Sequence, residues 1–232
     1  MIMIEAKEVR KSFGEGEAAV RALRGASLSI RKGEFVAVTG PSGCGKTTLL
    51  HVLSGIETAD EGEIWIGGTP LHKKSDKEIS KLRLERMGFV FQQYHLIEVL
   101  NVLENVSLPL IARGLPEKEA NRKAAAALEL VGLSDKLAAR PSELSGGQCQ
   151  RTAIARAVAG EPEIIWADEP TGALDTDNAR QVVGLLRKLN EALGTTVVIV
   201  THDPNVAACA HRIIRMENGR ILPEREGDVR HV

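Results

Sequence analysis

Two glycine-rich segments of this 232-residue chain have the composition of anion-binding sites. Residues 40–47 (GPSGCGKT) match the phosphate-loop pattern G-x-x-x-x-G-K-[ST], and residues 144–148 (LSGGQ) open a predicted helix much further along the chain. Glycines let backbone N–H groups converge on phosphate oxygens, and a helix N-terminus adds partial positive charge. Because one nucleotide does not need two cradles so far apart, we expect the second segment to cap a nucleotide held by another copy of the chain. This expectation implies a dimer.

The segment 40–47 has the context that a nucleotide-binding loop requires. It follows the apolar run 35–39 (FVAVT), which is typical of a buried strand, and it leads into a predicted helix from Lys46 onward. In such a loop Lys46 reaches the β- and γ-phosphates and the Thr47 hydroxyl binds Mg²⁺. The alternative is a glycine-rich turn that only starts a helix. The residues predicted to contact the nucleotide here are Gly40, Ser42, Gly43, Cys44, Gly45, Lys46, Thr47 and Thr48.

Two later strand candidates also end in residues that could do chemistry. Residues 164–167 (IIWA) lead into Asp168 and Glu169, and residues 196–200 (TVVIV) lead toward His202. The carboxyl ends of parallel strands share one edge of a sheet, where ligands bind. Asp168 therefore suits a magnesium site, Glu169 suits a base that polarises water, and His202 suits a sensor of the γ-phosphate. Taken singly they have simpler explanations, because strand-end acids often cap helices and a lone histidine usually forms loop hydrogen bonds.

The apolar pattern predicts an α/β fold with a mainly parallel sheet, and the motif at residues 40–47 makes its core resemble that of phosphate-loop NTPases. Residues 2–9, 28–30 and 63–66 form short β segments that suggest an N-terminal antiparallel sheet. Residues 117–131 and 148–159 are rich in Ala and Leu and indicate an inserted helical subdomain. Alternating β and α elements elsewhere favour parallel strands.

The C-terminal part continues this pattern. A helix is predicted over 178–193, and the Asn218-Gly219 turn between apolar flanks predicts a closing hairpin. We expect a single domain over residues 1–232. Its predicted parts are a catalytic core with the antiparallel β subdomain over about 1–90 and 160–222, the helical subdomain over about 91–159, and a flexible tail over 223–232.

Composition excludes several classes of protein. Lys and Arg total 30 against 31 for Asp and Glu, so no overall field draws the chain to nucleic acid, and no nucleic-acid partner is expected. The apolar runs are far shorter than the roughly 20 residues that span a bilayer, and the N-terminus lacks the layout of a secretory signal, so we expect a cytosolic protein. Cys44, Cys149 and Cys209 are scattered, which argues against disulfides or zinc.

Together, the motifs make the chain resemble the nucleotide-binding subunit of ABC transporters over nearly its whole length. Residues 40–47 resemble Walker A, residues 164–168 Walker B, residues 144–148 the signature motif and residues 173–175 the D-loop. The resemblance makes Glu169 the catalytic base and His202 the switch histidine. It also implies that Gln92, after Phe91, belongs to the Q-loop, contacts Mg²⁺ or the attacking water, and responds to a membrane partner.

The resemblance assigns further nucleotide contacts. Phe13 lies where the family usually has a tyrosine that stacks on adenine, and a phenyl ring keeps the stacking surface. Ser145 and Gly147, with Gly146 and Gln148 beside them, would bind the γ-phosphate of ATP on the opposite protomer. Asp175 would make a cross-dimer contact. The residue types also fit plain helix caps at Ser145 and Asp175, and capping is compatible with anion binding.

The resemblance implies an ATPase whose closed form is a head-to-tail dimer around two ATP molecules with Mg²⁺. The partners are a second copy and an integral membrane permease, which would hold the chain on the cytoplasmic face of the membrane. Three segments, 88–93, 105–110 and 170–175, are most similar to the lipoprotein-release and macrolide-export branch, which often works by mechanotransmission. The apolar segment 94–111 fits either core or a docking surface for the permease.

Two alternatives to a transport ATPase remain on the sequence alone. A non-transport ABC ATPase, such as one that regulates cell-wall remodelling at division, would share every catalytic residue. A phosphate-loop kinase has no use for residues 145–147 and is disfavoured.

Overall fold

The computed structural model describes residues 1–16, 19–225 and 228. The chain forms two compact units, which we call the first unit (Met1–Lys81 with Thr196–Val232) and the second unit (Leu82–Thr195). The strands, in chain order, are β1 (Ile2–Phe13), β2 (Val20–Arg31), β3 (Phe35–Thr39), β4 (Glu61–Ile66), β5 (Thr69–Pro70), β6 (Met87–Phe91), β7 (Ile164–Asp168), β8 (Thr196–Val200), β9 (Arg212–Glu217) and β10 (Arg220–Ile221). The α-helices are α1 (Lys46–Leu53), α2 (Asp76–Arg86), α3 (Val102–Ala112), α4 (Glu117–Leu130), α5 (Gly146–Val158), α6 (Thr176–Leu193) and α7 (Pro204–Ala207), and 3-10 turns cover Leu71–Lys73, Ser134–Lys136 and Pro141–Glu143.

The first unit contains the predicted antiparallel sheet, with strand order β2-β1-β4-β5. Ala6 in β1 faces Leu28 of β2 on one side and Ile64 of β4 on the other. Ala6 and Ile64 are buried, so this part of the sheet turns apolar side chains inward. The antiparallel sheet that the short alternating segments predicted is confirmed.

The first unit also contains parallel strands around β3. Val38 of β3 pairs with Val200 of β8 and with Ile214 of β9, both in parallel register. Phe35 to Val38 are at most 2% exposed. Strands covered on both faces are apolar throughout rather than alternating, which is why β3 and β8 were recognisable as buried strands.

The predicted closing hairpin is formed by β9 and β10, which pair in antiparallel register. Its turn residues, Asn218 and Gly219, have φ angles of 49° and 76°, as a two-residue hairpin loop requires. The Gly219 N–H donates to the carbonyl oxygen of Cys44 at 3.0 Å, and its own carbonyl accepts from the Arg24 N–H at 2.8 Å. The hairpin turn therefore supports the glycine-rich loop of residues 40–47.

The second unit combines the parallel pair β6 and β7 with helices that pack around it. The predicted helices are confirmed, with small shifts in their ends. Helix α5 begins at Gly146 because Ser145 caps it, and α6 begins at Thr176 because Asp175 caps it. Gly194, with a φ of 62°, lies at the C-terminal cap of α6.

Among the described residues, the helices α2, α3 and α7 and the strands β5 and β6 have no counterpart in the sequence prediction. Helix α2 is highly polar and has a single buried residue, Leu82, so it lacks an apolar stripe. Helix α3 is apolar on most sides and contains Pro109, which hides its period, although Asn101 and Glu104 form a capping box at its start. Strand β6 is five residues long and includes a glycine, Gly88.

The structure describes only part of the predicted flexible tail, residues 223–232. Residues 226, 227 and 229–232 lie outside the described residues. Asp228 is described and only 8% exposed. Its carboxylate accepts from the Arg215 guanidinium at 2.6 Å and from the Arg225 N–H at 2.6 Å.

Replacement of Gly219 by Ala tests the support that the hairpin gives to the loop. A Cβ atom there would lie 2.7 Å from the carbonyl oxygen of Ala22, a backbone atom, and the φ of +76° is unfavourable for alanine. We expect a loss of about 1–3 kcal/mol in the free energy of unfolding. Urea unfolding measures it, with Gly184→Ala as the control because that helical glycine has open space around it. Equal stability of the two variants would contradict the prediction.

Candidate functional site

The loop of residues 40–47 is organised around the Lys46 ammonium. Lys46 is 8% exposed, and its Nζ donates to the carbonyl oxygens of Gly40 at 2.9 Å and Pro41 at 3.0 Å. An ammonium has three donor hydrogens, so two of them pin the side chain to the loop and the third is left for a ligand. Ser42, Gly43 and Thr47 are exposed at the start of α1, where backbone donors of a helix N-terminus lie.

The glycines of this loop allow backbone to pack directly on backbone. A side chain at Gly40 would overlap the carbonyl oxygen of Met216 in β9, and one at Gly45 would overlap that of Ala22 in β2. Cys44 is buried, so any contribution that it makes to phosphate binding comes from its backbone rather than its thiol. Thr48 is half-buried on the first turn of α1. The loop shape is therefore set by close backbone contacts within the first unit.

His202 lies at the same sheet edge as this loop. It follows β8, which pairs with β3, and the Thr201 N–H donates to the carbonyl oxygen of Val38 at 3.1 Å. The turn is pinned on its other side, because the Asp203 N–H donates to the Thr201 hydroxyl at 3.0 Å. His202 itself is exposed. The structure thus brings His202 to the strand ends from which the phosphate loop leaves, as the sequence predicted.

Phe13 presents an exposed ring at the end of β1. The ring is 43% exposed, and the Lys11 ammonium lies 5.3 Å from its centroid. Phe13 pairs with Val20 of β2, two residues before Ala22, whose carbonyl oxygen packs on Gly45. The aromatic surface is therefore joined to the phosphate loop through one short stretch of β2 and is open to stacking.

In the second unit, Gln92, Asp168 and Glu169 come together at the ends of β6 and β7. Phe91 and Asp168 are register partners, so Gln92 and Glu169 each leave the sheet at the same edge. Glu169 has a φ of 46°, a left-handed conformation that non-glycine residues rarely adopt. Strained backbone of this kind concentrates at functional positions, where the surroundings hold it.

A tight turn follows Glu169 and carries the Gln92 side chain. The Gly172 N–H donates to the Glu169 carbonyl at 3.0 Å, which closes the turn. A Cβ atom at Gly172 would lie 2.9 Å from Gln92 Nε2. The Gln92 amide therefore lies against the turn that begins with Glu169.

The segment 144–148 forms a capping box at the start of α5. The Gln148 N–H donates to the Ser145 hydroxyl oxygen at 3.3 Å, and the Ser145 N–H donates to Gln148 Oε1 at 2.9 Å. The Ser145 hydroxyl keeps its own hydrogen for another acceptor. Ser145 and Gly146 are exposed, whereas Gly147 is buried. This helix start is thus capped and still presents donors.

Asn178 links this segment to Asp175 within the same unit. A side chain at Gly147 would overlap Asn178 Oδ1, and Asn178 Nδ2 donates to Asp175 Oδ2 at 2.6 Å. Asp175 also caps α6 by accepting from the N–H groups of Asp177 and Asn178. The hydrogen bonds from Asn178, first from its backbone, lower the pKa of Asp175 below its usual value.

Sequence reasoning missed the residues that support these groups. Arg156 on α5 donates to the carbonyl oxygens of Tyr94 at 2.7 Å and of His95, and burial lowers the pKa of Arg156. Tyr94 and His95 have φ angles of 41° and 47°, so a cation holds two strained residues just after Gln92. The sequence did contain a signal for Arg156. It is the single arginine inside the apolar run 153–158 of α5, and a charge in such a run needs hydrogen-bond partners.

The thiol of Cys149, also on α5, packs in the interior of the protein. It is buried and donates to the Pro141 carbonyl at 3.6 Å, and burial raises the pKa of this thiol. A buried thiol with a raised pKa packs as a small apolar group and reacts slowly.

The apolar segment 94–111 divides into buried and exposed residues, so packing in the core accounts for only part of it. Buried members on α3 include Val102, Val106 and Leu110. Exposed members are Ile97 at 40%, Val99 at 79%, Leu108 at 40% and Ile111 at 42%. Exposed apolar side chains are typical of a contact with another protein where they form one patch.

The described residues also bear on metal binding and on membrane-spanning helices. Among the described residues, no group of three or more His, Cys, Asp or Glu side chains is arranged to hold a metal ion. The exposed Thr47 hydroxyl and the half-buried Asp168 carboxylate are oxygen donors of the kind that Mg²⁺ uses together with phosphates. None of the described helices has both the length and the apolar composition that a membrane-spanning segment needs.

Comparison with known proteins identifies relatives of two kinds. The family model described as ABC transporter matches residues 23–172. The uncharacterized ABC transporter ATP-binding protein MJ0796 of Methanocaldococcus jannaschii is 45% identical over 98% of this chain and 98% of its own length. The macrolide export ATP-binding/permease protein MacB of Neisseria gonorrhoeae is 46% identical over 97% of this chain, but the chain spans only 35% of that protein.

Two solved structures are also similar to this chain. The chain matches the dimeric structure of a post-hydrolysis state of the ATP-binding cassette MJ0796 bound to ADP and Pi, with a TM-score of 0.89, 43% identity, and coverage of 99% of this chain and 100% of that chain. It matches cbiO1 from Clostridium perfringens with a TM-score of 0.85 and 30% identity, over 96% of this chain and 87% of that chain. The predicted resemblance, including its macrolide-export branch, is confirmed. The chain belongs to the ABC transporter family and is an ATP-binding cassette with ATPase activity.

Proposed function

We propose that two copies of the chain close head to tail around two Mg-ATP and thereby drive an integral membrane permease. The observation that carries this proposal is the capped start of α5. Ser145 and Gly146 are exposed hydrogen-bond donors there, and the phosphate loop does not need them to bind its own nucleotide. Donors at a helix N-terminus suit a phosphate group. In a head-to-tail dimer, Ser145 and Gly147 of each copy would meet the γ-phosphate bound by the other copy.

Several features support this arrangement. A relative that is 43% identical is described as dimeric and bound to ADP and Pi. Asp175 is linked to Gly147 through Asn178, so both groups proposed to act across the dimer lie close together in the second unit. The cap leaves the Ser145 hydroxyl hydrogen available for the partner's ATP.

Each proposed role follows from the chemistry of the side chain. The phosphate loop and Lys46 would hold the β- and γ-phosphates, and Phe13 would stack on the adenine. Glu169 would accept a proton from water while the water oxygen attacks the γ-phosphorus and ADP leaves. His202 and Gln92 would orient the γ-phosphate and the water. Mg²⁺ would bind with the nucleotide at Thr47, Asp168 and Gln92 and neutralise phosphate charge.

The permease is proposed to dock on the exposed apolar residues of segment 94–111. This surface lies in the same unit as Gln92, so movement of the permease would reach the site through the residues that follow β6. The relatives named for macrolide export join an ATP-binding part and a permease part in one protein, which supports a partner of this kind. We further propose that the complex sits on the cytoplasmic face of the membrane and acts by export or mechanotransmission.

Replacement of Glu169 by Gln tests its role as the base. The amide cannot accept the proton from water, so we expect kcat to fall by about 10²-fold or more while ATP still binds. Magnesium-dependent phosphate release from purified protein measures this loss. Glu129→Gln, an exposed glutamate on α4, is the control and should keep the parent rate. A normal rate for Glu169→Gln would refute the assignment.

The trans contact of Ser145 is tested in the Glu169→Gln variant, in which bound ATP persists. Light scattering should show an ATP-dependent dimer, and a second change, Ser145→Arg, should abolish it because a bulky side chain replaces the cap and fills the anion site. Ser134→Arg adds the same charge at another exposed serine of the second unit and should leave the dimer intact. An unchanged dimer in Ser145→Arg would rule out the head-to-tail geometry.

The docking surface is tested by Val99→Asp, since Val99 is 79% exposed and apolar. We expect the variant to lose its association with permease in detergent-solubilised membranes but to keep its ATPase rate in isolation. Leu130→Asp, at a residue that is 58% exposed in the same unit, is the matched control. Co-purification of permease with Val99→Asp at the parent level would refute this surface.

A further inference from the structure

We propose that Gln150 is a positioning residue for ATP hydrolysis, acting on the turn that carries Glu169. Gln150 lies on α5 and is fully buried. Its Nε2 donates to the Pro170 carbonyl at 2.6 Å and, more weakly, to the Phe91 carbonyl at 3.4 Å. One side chain thus bonds to the residue after Glu169 and to the residue before Gln92. The inference rests on the function proposed above for Glu169 and Gln92.

The two acceptors explain why the side chain is an amide. Both partners are carbonyl oxygens, so only an NH₂ group can serve both, and this determines which way the amide points. Its Oε1 is then buried and finds no donor among the residues that the structure describes. A buried acceptor without a donor is costly. The buried Thr152 hydroxyl bonds within its own helix, whereas the Gln150 amide reaches out of α5 to Pro170 and Phe91, so the amide at 150 indicates positioning of those residues.

The turn after Glu169 needs an external tether. Glu169 is in the left-handed region, and Pro170 has no N–H with which to form a backbone hydrogen bond. The Pro170 carbonyl is therefore the one backbone group of that residue that can be held. Gln150 holds it from the side of α5, while the Gln92 amide packs against Gly172 at the other end of the turn.

Helix α5 therefore connects two functional features of the second unit. Its N-terminal end carries Ser145, proposed to bind the partner's ATP, and one turn later Gln150 bonds to the turn of Glu169. Further along, Arg156 holds the carbonyls of Tyr94 and His95 beyond Gln92. Displacement of α5 would thus reach Glu169 through one hydrogen bond, which relates capping of the partner's ATP to the geometry of the base in the same chain.

Gln150→Met tests the proposal, because methionine has a similar length and cannot donate. We expect kcat to fall about 10- to 100-fold with KM for ATP within about threefold of the parent, as for loss of a group that orients a catalytic residue. Thr152→Val is the control, because Thr152 is equally buried on α5 but its hydroxyl donates to Gln148 of its own helix. It should keep the parent kcat.

A double-mutant cycle separates positioning from a structural role. If Gln150 acts through Glu169, adding Gln150→Met to Glu169→Gln should lower the residual rate by less than about threefold and leave the ATP-dependent dimer intact. Losses that multiply, or a rise in KM with unchanged kcat, would overturn the proposal. Gln150→Ala, a good helix former, is a second variant and should give the same kinetic pattern.

The two levels of proposal fail in different ways. A parent kcat in Glu169→Gln overturns the proposed function and this inference together. A parent kcat in Gln150→Met beside an inactive Glu169→Gln overturns the inference alone. Loss of the folded state in both Gln150 variants, detected by circular dichroism, would also overturn it by assigning Gln150 to stability.

Discussion

Direct packing of backbone on backbone around the phosphate loop is the constraint on which the first unit depends. Gly40 lies against Met216, Gly45 lies against Ala22, and the Gly219 turn bonds to Cys44 and Arg24. Strands β2 and β9 and the start of α1 therefore meet with no side chain between them. The shape proposed to present N–H groups to phosphate is the same shape that joins these elements, so the proposed binding and the folding would depend on the same glycines.

The second unit depends on contacts that hold the strained backbone of Glu169 and the start of α5 in position. Glu169 has a left-handed backbone, and hydrogen bonds from Gly172 and Gln150 fix the turn that follows it. Ser145 caps α5, and Gly147 allows that helix to approach Asn178. Gln150 is proposed to serve geometry, and its Oε1 is buried without a hydrogen-bond donor among the described residues.

The relatives show that such a cassette occurs in two contexts. In MJ0796 it makes up almost the entire protein, whereas in MacB it corresponds to 35% of a protein named as both ATP-binding and permease. In this chain, the exposed apolar residues of segment 94–111 are the surface proposed to contact a permease.

The sequence by itself predicted which residues bind and act on phosphates, because glycine spacing, Lys46 and strand-end acids have few other uses in that pattern. It also determined the buried strands and the capped helices, since a strand covered on both faces is apolar throughout and a cap is a local hydrogen bond. Tertiary structure alone decided the supporting contacts of Gln150, Gly172 and Gly219, and the extent of α2 and α3. Their partners lie far away in sequence or are backbone carbonyls, which leave no mark on composition, so only the folded chain reveals them.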